Sequence, residues 1–255
     1  MSAAFYGMKD GRLVPTELTR GPWDPDAQHA GPPAALLGRA IERCEPRNGM
    51  QVGRITLEIL RPVPLAPLAV NAAVVRPGRS VEYLEAALSG PEGEVMRAAA
   101  WRLRPSRVAL GTVEAGAPEG PSAGKSRDFF PTGERVGYHT ATEYRFVEGA
   151  FLEPGPATVW MRSRVPLVEG EEPSPLERVL VTADSGNGVS AALDYRTHLF
   201  VNTDLSVHLL RMPAGEWVCL EASTYLDGIG LTDTALWDEC GRIGRAAQTL
   251  LVRER

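Results

Sequence analysis

The second half of the chain rewrites the first. The segment GRITLEILRPVP from Gly53 and the segment TDLSVHLLRMP from Thr203 both alternate apolar with polar residues. Ile55, Leu57 and Ile59 carry the apolar side of one, Leu205, Val207 and Leu209 that of the other, and each runs into an Arg followed within two residues by Pro. Alternation of this kind specifies half-buried strands. Further along, GEVMRAAAWRLR from Gly93 matches GRIGRAAQTLLV from Gly241, with Arg97-Ala-Ala facing Arg245-Ala-Ala. A fold for this chain must therefore hold two similar units, each about half its length.

Between these anchors each half contains two more strand-like runs. In the first, Leu68 to Val75 and Ser80 to Ser89 are punctuated by Pro77-Gly78 and Gly90-Pro-Glu-Gly93; in the second, Trp217 to Tyr225 and Leu231 to Trp237 are punctuated by Asp227-Gly228 and Asp238-Glu-Cys-Gly241. These pairs supply the fixed or positive φ that short reversals need, so each half ends in an antiparallel meander. One helix precedes each meander. Gly31-Pro32-Pro33 opens the first, Leu37, Ala40, Ile41 and Cys44 form its stripe, and Glu45-Pro46 ends it. Ser174-Pro175-Leu176-Glu177 is a capping box for the second, with Leu176, Val179, Leu180 and Ala183 at helical spacing and Gly186 or Gly188 as a left-handed C-terminal cap. The second unit opens with strand candidates at His139 to Val147 and Ala157 to Val165. The pattern is α+β: two repeats, each a central helix wrapped by a curved antiparallel sheet. The Pro-, Gly- and Ala-rich run from Arg104 to Ser126 reads as the covalent connection. The expected division is residues 1–107, a linker at 108–127, and residues 128–255.

Charge and cysteine usage exclude several function classes. With 27 Lys and Arg against 32 Asp and Glu the formal net charge is −5, and no basic block offers a surface to nucleic acid or to a membrane. No apolar stretch is long enough to span a bilayer, and no signal peptide is expected from the first residues. Cys44, Cys219 and Cys240 lack CxxC spacing, which argues against a disulfide framework or a zinc site and for a reducing cytoplasm.

The repeat also shows where symmetry is broken. Gln248 falls opposite Ala100, so it is either an ordinary strand residue or an amide presented to a ligand. Asp184 ends the second helix, where the negative end of the helix dipole would make it a stronger general base than a free Asp; Asp-Ser-Gly-Asn-Gly is equally natural turn composition. Asn202 and Thr203 open a strand opposite Val52 and Gly53 and are polar in one half only, which fits a polar strand entry as well as a site. His29, two residues before the first helix, either packs or lines a cleft. Gly186 to Ala191 fits GxGxxA, but it follows a helix rather than a strand, and no run of βαβ units supports a dinucleotide site. Ser190 lacks the glycines of a nucleophile elbow.

These residues lie in stretches that resemble the acyl-CoA thioesterase II family, in its actinobacterial thioesterase-like branch. The resemblance covers nearly the whole chain: Gln28-His-Ala-Gly-Pro-Pro-Ala-Ala-Leu-Leu, Thr182-Ala-Asp184, Asn202-Thr-Asp-Leu-Ser-Val-His208, Gly215-Glu-Trp217 and Gly241-Arg-Ile-Gly-Arg-Ala-Ala-Gln248. It implies a double hotdog fold, an acyl-CoA substrate, and hydrolysis with no covalent intermediate, cofactor or metal. Carried over residue by residue, Asp184 takes a proton from water while Asn202 and Gln248 orient it. The family's hydroxyl position falls on Asn202, a departure that a one-residue shift to Thr203 would remove. The Gly31 N–H would polarise the thioester oxygen, Pro32 and Pro33 having no N–H to add, with His29 and Thr203 beside the substrate. Two other readings stay open: a non-catalytic acyl-thioester binder, and enoyl-CoA hydration, for which Asp184 and Asn187 have the wrong spacing and lack a closely following His. Exposed strand edges could support a homo-oligomer.

Overall fold

Residues 3–106 and 116–255 are described by the computed structural model. An N-terminal hairpin, β1 (Tyr6–Lys9) and β2 (Arg12–Pro15), turns at Asp10-Gly11, both at positive φ, 51° and 74°. The Asp-Gly pair is the composition that such a turn demands. The helix α1 (Gly31–Arg43) then leads into the first meander, β3 (Gln51–Ile59), β4 (Ala69–Arg76), β5 (Val81–Gly90) and β6 (Gly93–Leu103). The second half begins with the single turn α2 (Tyr138–Ala141), β7 (Thr142–Ala150) and β8 (Glu153–Ser163). Next come α3 (Pro175–Ala183) and the short α4 (Gly186–Val189). The chain closes with β9 (His198–Asn202), β10 (Asp204–Leu209), β11 (Val218–Asp227), β12 (Ile229–Asp238) and β13 (Gly241–Glu254).

All strands from β3 onward form one antiparallel sheet in the order β4-β5-β6-β3-β10-β13-β12-β11-β8-β7, with β9 paired to the far end of β13. The halves join where their equivalent strands meet. Thr56 pairs with Ser206, Ile55 with Val207 and Leu57 with Leu205, so a local two-fold axis passes between Thr56 and Ser206, whose hydroxyls lie 3.2 Å apart. The same register places Ala100 beside Leu84 and its counterpart Gln248 beside Thr232.

The sheet curls around α1 and α3, which bury Leu36, Leu37 and Ile41 from one and Leu176, Val179 and Leu180 from the other. The helices run antiparallel and nearly touch. A Cβ on Gly31 would lie 2.2 Å from the Val181 carbonyl oxygen, and one on Gly38 2.4 Å from a Leu180 methyl. Among the described residues no helix is long and apolar enough to cross a membrane.

Several local expectations need correction. Gly186 and Gly188 are not left-handed caps: Asp184 ends α3 in a right-handed conformation and the chain continues into α4. Gly186 is there because a Cβ would lie 2.8 Å from both Gln248 Oε1 and Thr234 Oγ1. His139 to Ala141 are helical rather than extended, held by a reciprocal hydrogen-bond pair between Gly137 and Thr140. The proposed connection falls partly outside the described residues, at 107–115; beyond it, Lys125 exchanges backbone hydrogen bonds with Phe146 of β7, and Trp160 Nε1 donates to the Glu119 carbonyl at 2.6 Å.

Two measurements test this packing. Gly31→Ala should lower the unfolding free energy by about 1–3 kcal/mol in urea titrations, because the obstruction is backbone. Gly38→Ala should cost less, since a Leu methyl can turn aside and Ala gains about 1 kcal/mol in a helix interior. At the opposite end of the helix pair, burial and the neighbouring Glu42 push the Glu177 carboxyl up to about 7. A carboxyl raised in the folded state stabilises below its ordinary range and loses that contribution as pH rises through the raised value. The melting temperature of Glu177→Gln relative to the wild type should therefore rise between pH 5 and pH 8.

Candidate active site

The antiparallel contact sets the N-terminus of α1 against the C-terminus of α3. Pro32 and Pro33 occupy the first turn of α1, and the Ala34 N–H already donates to the Ala30 carbonyl. The Gly31 amide is left as the unpaired donor of that turn, and it donates to His29 Nδ1 at 3.1 Å. The imidazole is thus a helix cap. Its loop is tied down on both sides: Gln28 and His29 donate their backbone N–H groups to Val63 and Thr19, and the Gln28 side chain accepts from Tyr6 and donates to the Pro64 carbonyl.

His29 stacks on Tyr138, with ring centroids 3.7 Å apart and planes inclined by 12°. Tyr138 is itself fixed, its hydroxyl donating to the Val181 carbonyl at 2.7 Å and lying 3.1 Å from Ser185 Oγ. Burial lowers the His29 pKa below its ordinary value, and the Asp184 charge pulls the other way.

Asp184 is 5% exposed and faces this ring, with Oδ2 3.2 Å from His29 Nδ1. Its other oxygen accepts from Asn202 Nδ2 at 2.8 Å and from Gln248 Nε2 at 3.5 Å. Gln248, 1% exposed rather than an ordinary surface strand residue, bridges the α3–α4 junction: Nε2 donates to the Asp184 carbonyl at 3.0 Å and Oε1 accepts from the Asn187 N–H at 3.0 Å. Asn202 sits where β9 ends, paired with Leu250 of β13, and this register aims its amide at Asp184.

The structure thus brings Asp184, Asn202, Gln248 and His29 together. Thr203 stands apart, exposed at the cleft mouth, with its N–H on the Thr249 carbonyl. Gly31 is in place, but its N–H points at His29. Tyr138 and Trp23 were not signalled as site residues, and Asn187 entered only through the hydration reading, at the wrong spacing.

His29, Asp184, Asn187 and Asn202 line a cleft of about 430 Å³, with Gln248 buried behind them. Its apolar lining comes from Trp23, Ile59, Val63, Leu199, Val201 and Leu251, and Asp24, Arg61 and Arg253 also line it. Such a lining takes an apolar chain and an anionic group on one ligand. A larger hollow of about 650 Å³ on the outer face of β3 to β6 is lined by Ala72, Ala73, Ala86, Ala87, Ala98 and Ala99 together with scattered charges, and it lies away from Asp184.

Sequence patterns described as the acyl-CoA thioesterase N-terminal domain and C-terminal domain match residues 19–103 and 114–252. No curated protein is significantly similar to the chain. A hot dog fold protein of unknown function from Alicyclobacillus acidocaldarius superposes with a TM-score of 0.74 at 17% identity, over 97% of this chain and 95% of that one. The tesB protein of Mycobacterium avium subs. paratuberculosis gives 0.64 at 15% identity over 95% and 92%. Acyl-CoA thioesterase II TesB2 of Mycobacterium marinum gives 0.61 at 16% over 82% and 83%. At these identities the likeness is one of fold, a double hotdog, while the matched patterns account for most of the chain. It belongs to the acyl-CoA thioesterase family, whose members are thioester hydrolases.

Proposed function

We propose that the protein hydrolyses acyl-CoA thioesters with a water activated by Asp184. The observation that carries this reading is a buried carboxylate held on one oxygen by the Asn202 and Gln248 amides and lining a cleft with apolar side chains and two arginines. The acyl chain lies along Ile59, Val63 and Leu251, and Arg61 and Arg253 meet the phosphates of CoA. Asp184 removes a proton from water as the oxygen attacks the thioester carbon. Asn202 and Gln248 hold the carboxylate and orient that water, so no covalent acyl-enzyme forms. The two units, residues 1–107 and 128–255 with the connection at 108–127, act as one body because the site draws on both. Three free cysteines fit a reducing, cytoplasmic setting.

The capped Gly31 amide favours a second reading, a protein that binds acyl-thioesters without cleaving them, since the donor expected at the thioester oxygen is already engaged. One experiment separates the two. Wild-type protein is mixed with saturated acyl-CoAs from acetyl to palmitoyl, and free thiol is followed alongside bound, intact ligand. Turnover that falls about 10²- to 10⁴-fold in Asp184→Asn, with unchanged circular dichroism, supports hydrolysis. Tight binding with recovery of intact thioester supports the binder, and turnover that survives Asp184→Asn removes the assignment of the base. Asn202→Ala, which takes one donor from Asp184 and leaves the carboxylate in place, should lower kcat by less than Asp184→Asn does.

A further inference from the structure

Two neighbours ask opposite things of one nitrogen. The Gly31 N–H, 3.1 Å from His29 Nδ1, needs a lone pair there, whereas the Asp184 carboxylate, 3.2 Å away, needs a proton there. A bare nitrogen facing a bare carboxylate oxygen repels it, so the contact closes when one proton lies between them. The other ring nitrogen, Nε2, has no protein partner among the described residues, and the ring lines the cleft. Tyr138 stacks on the ring as a buried phenol, whose pKa burial raises, and the charged groups that line the same cleft are Asp24, Asp184, Arg61 and Arg253.

We propose that His29 is a catalytic residue that passes the proton taken from water to the departing sulfur. This rests on the hydrolytic reading above and supplies what a lone carboxylate lacks, an acid for a basic leaving thiolate. Water's oxygen forms the new bond to the thioester carbon, and its proton goes to Asp184. That proton moves from Oδ2 to Nδ1 while the carbon–sulfur bond breaks, and the proton on Nε2 goes to sulfur. The products are carboxylic acid and thiol, and His29 ends neutral with its proton on Nδ1. Exchange with solvent through Asp184 and the cleft returns it to Nε2. Recovery of the Gly31 hydrogen bond draws the ring back to that state.

The test compares two leaving groups on one acyl chain: CoA, a basic alkyl thiol, and 4-nitrothiophenol, whose thiolate departs without a proton. His29→Asn is the chosen variant because its Oδ1 can accept the Gly31 N–H as Nδ1 does, but it cannot carry a proton between two atoms. The expected result is a loss of about 100-fold or more in kcat on acyl-CoA and under about 10-fold on the aryl thioester, with His29→Gln behaving alike. Equal losses on both substrates would reduce His29 to a positioning residue and overturn the proposal, as would no loss on either. Should neither variant fold, wild-type rates across thioesters of increasingly basic thiols decide: a nearly level series supports proton delivery to sulfur, and a steep decline refutes it. Asp184→Asn is run in parallel: turnover that survives it removes Asp184 as the base, and a wild type that releases no thiol from either substrate removes the hydrolytic reading itself, both independently of His29.

Discussion

The contact between Gly31 and the Val181 carbonyl governs the rest of the molecule. With a side chain at Gly31 the start of α1 could not lie against the last turn of α3, since a Cβ would overlap the carbonyl oxygen at 2.2 Å. Backbone contact at this point brings the positive end of one helix to the negative end of the other, an arrangement that is electrostatically favourable and screened from water by the surrounding sheet. His29, just before α1, and Asp184, just after α3, are therefore neighbours although 155 positions separate them in sequence. The site comes from two helix ends being forced together.

The local two-fold axis through Thr56 and Ser206 implies that whatever is built at one end of the helix pair has a counterpart at the other, and the two ends have been spent differently. At the far end the N-terminus of α3 is capped by Ser174, whose hydroxyl accepts from the Glu177 N–H and donates to Glu42. Arg39 and Arg43 both grip Glu171, with contacts of 2.6 Å, and the fully buried Glu82 is held by Arg102 at 2.7 Å. The Glu171 pairs join the two halves, Arg102 ties Glu82 to the end of the first helix through the Cys44 carbonyl, and the Glu177 carboxyl, without an ion-pair partner among the described residues, is pushed up by burial. At the near end the cap is an imidazole instead of a hydroxyl. A hydroxyl cap only accepts a hydrogen bond from the backbone, whereas an imidazole cap does so and can also take up a proton.

Much of this was legible in the sequence because a repeat supplies its own comparison. Asn202 and Gln248 stand out as polar where the other half has apolar or small residues, Asp184 by its place at the end of the second helix, and the strand register confirms that Gln248 and Ala100 occupy equivalent places. Both helix starts were legible from Pro at the first turn, and both meanders from alternation and turn pairs. What escaped is non-local. The pairing of β3 with β10, which fuses the halves into one sheet, is not written in either strand alone. The stacking of Tyr138 on His29 joins residues more than a hundred positions apart. Gly186 looks like a cap from its neighbours in sequence but is required by Gln248 and Thr234, which arrive from distant strands. The hairpin of β1 and β2 had a local signal in Asp10-Gly11, overlooked because it lies outside the repeat.

Two buried aspartates show how the same side chain is given different work. Asp238 is fully enclosed, and although burial raises its pKa, the Arg211 guanidinium and the amides of Ala214 and Cys240 more than offset this and hold it below the usual range. Arg211 binds both its oxygens, one at 2.6 Å, so its lone pairs are committed to a structural corner. Asp184 is buried to a similar degree but, among the described residues, has no guanidinium or ammonium group within ion-pair distance. Amides hold one oxygen, and a lowered-pKa imidazole faces the other. A carboxylate paired with a permanent cation has little to gain from a proton, because taking one would strand the buried cation. Where the partners are neutral amides and an imidazole that can change its own proton count, the carboxylate can accept a proton and pass it on without leaving an unpaired charge behind. Among the described residues no fixed cation stands beside Asp184, which is what the proposed proton transfer requires, and His29 is the neighbour whose charge can change with it.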